Sequence, residues 1–129
     1  MKLLLDTHCW LWWFAKPERF SPATIEKIAD DNNEIWLSVA SVWEMGIKTA
    51  IGKLSLPEPI DSYVSTRMMQ LGAKSLEIQA HHALKITRLP IYHRDPFDRM
   101  LIVQAQVEEM TLVSADSVFS QYNVSILWA

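Results

Sequence analysis

The strongest constraint on the fold is a set of short apolar segments that do not alternate. Leu3 to Leu5, Ile35 to Leu37 and Thr111 to Val113 run almost wholly apolar. A strand with one face in water alternates apolar and polar side chains, whereas a strand covered on both faces reads as a continuous run. Between these segments lie stretches with helical spacing. Thr7 to Ala15 is apolar nearly all round and stops before Pro17; Ser21-Pro22 supplies an N-cap and a first helical residue for a helix carrying Ile25, Ile28 and Ala29. Ser38 to Ile51 ends at Gly52, Ile60 to Leu71 ends at Gly72, and Asp95-Pro96 opens a long helix to Glu109. Strands are also predicted over Ser75–Ile78 and Val124–Trp128, with a helix over Ala80–Leu89. Strands alternating with helices predict an α/β fold of three layers, a short, mainly parallel central sheet flanked by helices.

The 129 residues suit a single domain spanning 1–129, and 50% of them are apolar against 21% charged, enough for a core. The one cysteine, Cys9, excludes a disulfide framework and a cysteine-based zinc site, and fits a reducing compartment. No stretch reaches the ~20 apolar residues of a membrane span. The apolar N-terminal segment is interrupted by Asp6 and lacks a small-residue cleavage site, so a cytoplasmic protein with no membrane partner is expected.

The net charge of −3 is unevenly spread. Met45 to Arg94 holds seven bases and three acids, so a basic middle of +4 sits in a remainder of −7. Local charge governs polyanion binding, although an ordinary solvated surface also accounts for such a pattern.

In parallel sheets functional groups collect beyond the carboxyl ends of the strands. Asp6 directly follows the first apolar run, and Asp116 lies just past the Thr111–Val113 run. Glu44 lies on the helix after the second run, and Asp98 in the first turn of the helix opened by Pro96. Each has a structural reading as well. Asp6, Asp95 and Asp116 are placed to cap the helix or turn that each precedes, and Ser41-x-x-Glu44 fits a capping box. Pro96 at the first helical position makes Asp95 the N-cap and Asp98 the third helical residue, better placed to face the strand ends. Four converging carboxylates repel unless a cation sits among them, and Mg²⁺ or Mn²⁺ held this way suits hydrolysis at phosphorus. Other chemistries find no support. His8, His81, His82 and His93 lack metal-ligand spacing, the adjacent pair His81-His82 should point to different sides of a helix, and no glycine-rich phosphate loop exists. Cys9 reads as a buried core residue.

The segments LLLDTHCWLWW, LSVASVWEMGIK, HRDPFDRMLIVQA and LVSAD together resemble the PIN-domain ribonucleases, in particular the VapC-type toxins of toxin–antitoxin pairs. DPFDRMLI is the most specific of these pieces, and the resemblance spans the chain. It implies a PIN-like fold, Mg²⁺ or Mn²⁺ dependence, endonucleolytic cleavage of RNA, homodimerisation and neutralisation by a cognate antitoxin. Residue by residue, it places the metal-binding and catalytic carboxylates on Asp6, Glu44, Asp98 and Asp116, with Ser114 as a supporting residue; Asp95, three residues before Asp98, departs from the family pattern and leaves open which of the two is the ligand, and it and Thr7 are further supporting candidates. Lys48, Lys53, Arg88, Arg94 and Arg99 are candidate contacts to RNA or antitoxin. The crowding of Trp10, Trp12, Trp13 and Phe14 predicts that a second chain covers some of them. A haloacid-dehalogenase phosphatase needs an Asp where His8 stands, and a receiver domain needs a late Lys, yet no Lys follows Lys85. The alternative to an enzyme is a catalytically inactive PIN fold serving as an RNA- or protein-interaction module.

Overall fold

Every neighbouring pair of strands is parallel in the computed structural model, which describes residues 1–129. The strands are β1 (Lys2–Leu5), β2 (Glu34–Ser38), β3 (Lys74–Leu76), β4 (Thr111–Ser114) and β5 (Ile126–Trp128). The helices are α1 (Thr7–Ala15), α2 (Pro22–Ala29), α3 (Val39–Ala50), α4 (Ile60–Leu71), α5 (Ala80–Ile86) and α6 (Pro96–Val107). The sheet order is β3-β2-β1-β4-β5. Successive connections leave β1 in opposite directions, so the topological switch point lies at its carboxyl end, where side chains can project into a crevice.

The two-residue period of the strands divides the apolar residues between two cores. Leu3, Leu5, Ile35, Leu37 and Val113 pack with Trp10, Ile28, Met45 and Tyr63 on one face. Leu4 and Leu112 pack on the other, against Leu101, Ile102, Val103 and Ala105 of α6 and against Phe119 and Tyr122. The result is three layers, and it explains why these strands read as unbroken apolar runs. Leu4 is wholly buried, and its truncation to Ala would cost about 2–5 kcal/mol.

The helix starts follow the side chains that cap them. Ser21 accepts the Thr24 N–H, and Asp95 accepts those of Phe97 and Asp98. Ser38 accepts the Ala40 N–H while donating to Gln104 Oε1 at 2.6 Å, which ties the start of α3 to α6. Gly72 ends α4 with φ 66°, a left-handed conformation that only glycine adopts freely. Because Ser38 starts α3, Ser41 lies inside the helix, and the predicted Ser41–Glu44 capping box does not form. Helix α5 ends at Ile86 rather than Leu89, and β3 is Lys74–Leu76 rather than Ser75–Ile78.

The aromatic cluster of α1 is partly covered by its own chain. Trp10 is fully buried, and Trp12 and Trp13 pack edge-on against Phe20 at 6.4 and 5.9 Å between ring centroids. Arg19 lies over Trp12 at 4.8 Å. Trp12, Trp13 and Phe14 nonetheless stay only half-buried. No helix is long and apolar enough to cross a membrane.

Candidate metal centre

Asp6 and Ser114 are brought together by the pairing of β1 with β4, although 108 positions separate them in sequence. Asp6 Oδ1 accepts the Cys9 N–H at 2.7 Å and so caps α1, while Oδ2 accepts the Ser114 hydroxyl at 2.5 Å. Capping and placement in the crevice are thus one arrangement. Burial pushes the Asp6 carboxyl above its ordinary range, and the bonds from Ser114 and Cys9 oppose that shift. The Ser114 oxygen also accepts the Asp116 N–H at 3.0 Å. Asp116 is exposed; its Oδ1 accepts the Val118 N–H at 3.0 Å, and Oδ2 makes no hydrogen bond. Between these groups lies a recess of about 200 Å³ lined by Asp6, His8, Trp12, Ala115 and Asp116.

Glu44 enters from α3, nearly buried and bonded on both oxygens. Its Oε1 accepts the Thr7 hydroxyl at 2.7 Å, and Oε2 accepts Lys48 Nζ at 2.6 Å. Thr7 Oγ1 lies 3.0 Å from Ser41 Oγ, so Ser41 joins this network without the helix-capping role its spacing suggested. Asp98, the third residue of α6, is half-buried, and its carboxyl is pushed up to about 7. Burial is the largest cause, followed by the negative charges of Asp95, Glu44, Asp6 and Asp116. The other three expected carboxylates, and Asp95 beside them, therefore all act on Asp98. Asp95 is exposed and spends Oδ1 on the first amides of α6, as its N-cap position predicts.

The five expected cationic contacts separate. Lys48 pairs with Glu44, its side chain 37% exposed. Lys53, Arg88 and Arg94 are exposed and hydrogen-bond no side chain. Arg99 is a correction, because it is buried and unavailable to RNA or a partner. Its guanidinium donates to the carbonyls of Ile86, Leu89, Pro90 and His93 and to the Tyr122 hydroxyl, at 2.8–3.4 Å. A planar fork with five N–H donors suits a segment whose carbonyls are turned inward and lack helical partners.

Sequence reasoning also missed a histidine pair. The rings of His81 and His82 lie 4.3 Å apart, and their nitrogens and a Glu108 oxygen fall within 4.8 Å of one another. Adjacent residues meet here because His82 folds back, its Nδ1 accepting the Gln79 N–H at 2.9 Å. That bond leaves the ring proton on Nε2, which faces Glu108 Oε1 at 3.4 Å. A protonated nitrogen has no lone pair for a metal, and a ligating histidine normally donates from its second nitrogen rather than accepting there. Burial, with His81 beside it, further lowers the pKa of His82. Cys9 is buried, and burial pushes its thiol up, so it carries no nucleophile.

The donor set fits a hard cation: Asp6 and Asp116 line one recess, and their charges, with that of Glu44, act on the Asp98 carboxyl, while Lys48 pairs with Glu44. Comparison with known proteins agrees in fold. Over 55 residues the chain is 44% identical to Ribonuclease VapC16 of Mycobacterium tuberculosis, a match spanning 43% of this chain and 39% of that curated relative. The structure superposes on VapBC2 from Rickettsia felis, solved with a DNA fragment from its promoter, with a TM-score of 0.76 and 17% identity over 99% of this chain and 98% of that one. It superposes on DNA-bound VapBC from Salmonella typhimurium with a TM-score of 0.71 and 16% identity, over the same shares of the two chains. The PIN domain model matches residues 3–124, nearly the whole chain, and the protein is thereby a member of the PIN domain family.

Proposed function

We propose that this chain is a single-domain, metal-dependent endoribonuclease, the toxin of a type II toxin–antitoxin pair, with Asp6, Glu44, Asp98 and Asp116 as its catalytic carboxylates. The observation that carries the reading is the Asp98 carboxyl, raised to about 7 by burial and by four other carboxylates at the switch point of the sheet. Strongly perturbed carboxyls gather at functional sites, where a ligand of opposite charge offsets the repulsion. Asp6, Asp98 and Asp116 would hold Mg²⁺ or Mn²⁺, with Glu44 beside them. A bound cation supplies an activated water and offsets the charge that develops on the phosphodiester.

The chain's own groups prepare that chemistry. Ser114 and the start of α1 fix both oxygens of Asp6, so this carboxylate needs no reorganisation. Thr7 and Lys48 hold Glu44, and Lys48 brings a positive charge to the rim of the cluster where a phosphate would approach. Lys53, Arg88 and Arg94 are free to track a phosphate backbone, with Arg99 excluded.

Two apolar surfaces support protein partners. An antitoxin segment fits the groove of about 440 Å³ between α3 and α4, lined by Val42, Gly46, Ile60, Val64 and Met68. A second copy fits the exposed stripe of Trp43 and Ile47 on α3 and Ile51 just after it. The curated ribonuclease and the solved toxin–antitoxin complexes support both the activity and the antitoxin.

The test is cleavage of a mixed RNA pool by the purified chain with Mg²⁺, with Mn²⁺ and with excess EDTA, beside Asp6→Asn. Cleavage that needs the metal and disappears in the variant is expected. Full activity in EDTA, or unchanged cleavage by the variant, overturns the reading.

A further inference from the structure

The segment between α5 and α6 presents one polar atom that the site has not used. His93 Nε2 is buried and has no hydrogen-bond partner, and the carboxylate within 4 Å of it is Asp98, whose Oδ2 lies 3.6 Å away. The other nitrogen, Nδ1, lies 2.7 Å from the Tyr122 hydroxyl. That hydroxyl already receives the backbone N–H groups of Tyr92 and His93, both at 3.3 Å, and Arg99 Nη1 at 3.4 Å. With donors on these sides, the phenolic hydrogen has a single acceptor among its neighbours, His93 Nδ1. With Nδ1 accepting that hydrogen, the ring's own proton is on Nε2, on the side of Asp98.

We propose that His93 is a positioning residue of the metal centre: it donates from Nε2 to Asp98 Oδ2 and so fixes the orientation of the Asp98 carboxylate. Tyr122 fixes the tautomer, and Arg99 with the two backbone amides fixes Tyr122. The inference rests on the metal-dependent reading above. Closing 3.6 Å to a hydrogen bond takes a carboxylate rotation that moves Oδ2 by about 0.6 Å. The same proton excludes His93 as a metal ligand, for the reason that excludes His82.

A bond from a ring nitrogen to Oδ2 restricts rotation of the Asp98 carboxylate before a cation arrives. Outer hydrogen bonds of this kind change metal affinity by about 10–100-fold.

The test is Mn²⁺ affinity of the whole chain by calorimetry, independent of any cleavage assay, in the wild type, Asp98→Asn, His93→Leu, His93→Gln and Tyr122→Phe. Leu at position 93 is expected to weaken Mn²⁺ by about 10–100-fold. Gln carries an amide N–H near the place of Nε2 and should recover most of that loss, and Tyr122→Phe should fall between. His93→Asn, whose amide stops short of Asp98, replaces the Leu variant if Leu does not fold. Nitrogen NMR of the metal-free wild type should show His93 as the neutral Nε2–H tautomer. Undiminished Mn²⁺ binding by His93→Leu, equal loss in Leu and Gln, or an Nδ1–H tautomer overturns the role of His93 alone. A wild type that binds no Mn²⁺, or an Asp98→Asn variant that binds it undiminished, overturns the metal reading and this inference with it.

Discussion

Replacing Asp98 by Asn should stabilise the metal-free protein only above about pH 4, by an amount that grows until about pH 7. In the folded chain the Asp98 carboxyl titrates at about 7, against about 3.9 in an unfolded chain. Between those values the native state holds a proton that the unfolded state has released. Stability is therefore full below about pH 4 and is lost as the pH rises through about 7. A shift of about three units at about 1.4 kcal/mol each sets a ceiling of about 4 kcal/mol. The side chain is 23% exposed, and solvent reaching it trims the expected effect to about 2–4 kcal/mol at about pH 8. Asn keeps the shape and removes the charge, so Asp98→Asn should exceed the wild type by that amount at about pH 8 in EDTA and match it at about pH 4. Urea unfolding at the two pH values measures the difference. Mg²⁺ should then stabilise the wild type more than the variant, reversing the order or narrowing it. A variant with the same advantage at both pH values, or with none, would refute the claim that carboxylate repulsion is stored at Asp98.

Other substitutions separate support from chemistry. Arg99→Lys leaves several inward carbonyls without a donor and should cost about 2–4 kcal/mol by urea unfolding, with RNA affinity of the folded variant unchanged. Asp95→Ala should cost about 0.5–2 kcal/mol as a lost cap and keep part of the cleavage rate, whereas Asp98→Asn loses it. Ser38→Ala removes both a cap and the partner of buried Gln104, a loss of about 1–3 kcal/mol, readable as a lower urea midpoint.

What the sequence made legible was local. Leu3–Leu5 reads as a covered strand because its neighbours on both faces are apolar, and Pro96 fixes the register of Asp95 and Asp98 through its own fixed φ. Asp6 and Asp116 were legible because a parallel sheet gathers its strand ends. What stayed hidden depends on partners distant in sequence. Arg99 beside a candidate ligand reads as a surface contact, and only the inward carbonyls of residues 86–93 bury it. Those carbonyls also accompany the early end of α5, which spacing alone extended to Leu89. Ser41 and Glu44 satisfy a capping pattern, but Ser38 captures the helix start first. Phe20 and Arg19, supplied by the turn after α1, give its tryptophans a part of their cover that spacing alone does not show. His93 carried no signal as a metal ligand, and its relation to Asp98 needed Tyr122 in place.

The pairing of β1 with β4 also sets a clock on synthesis. Asp6 is made before Ser114, which receives it and comes 108 residues later. At cellular rates of about 5–20 residues per second, that interval is about 5–20 s. Throughout it the central strand lacks one neighbour, and Asp6 and Asp116 have no crevice to share. A nascent or prematurely released chain ending before β4 holds Asp6, Glu44 and Asp98 but cannot assemble them around β1 and β4. Long-range closure thus delays completion of the acidic cluster until β4 and the turn carrying Asp116 have been made.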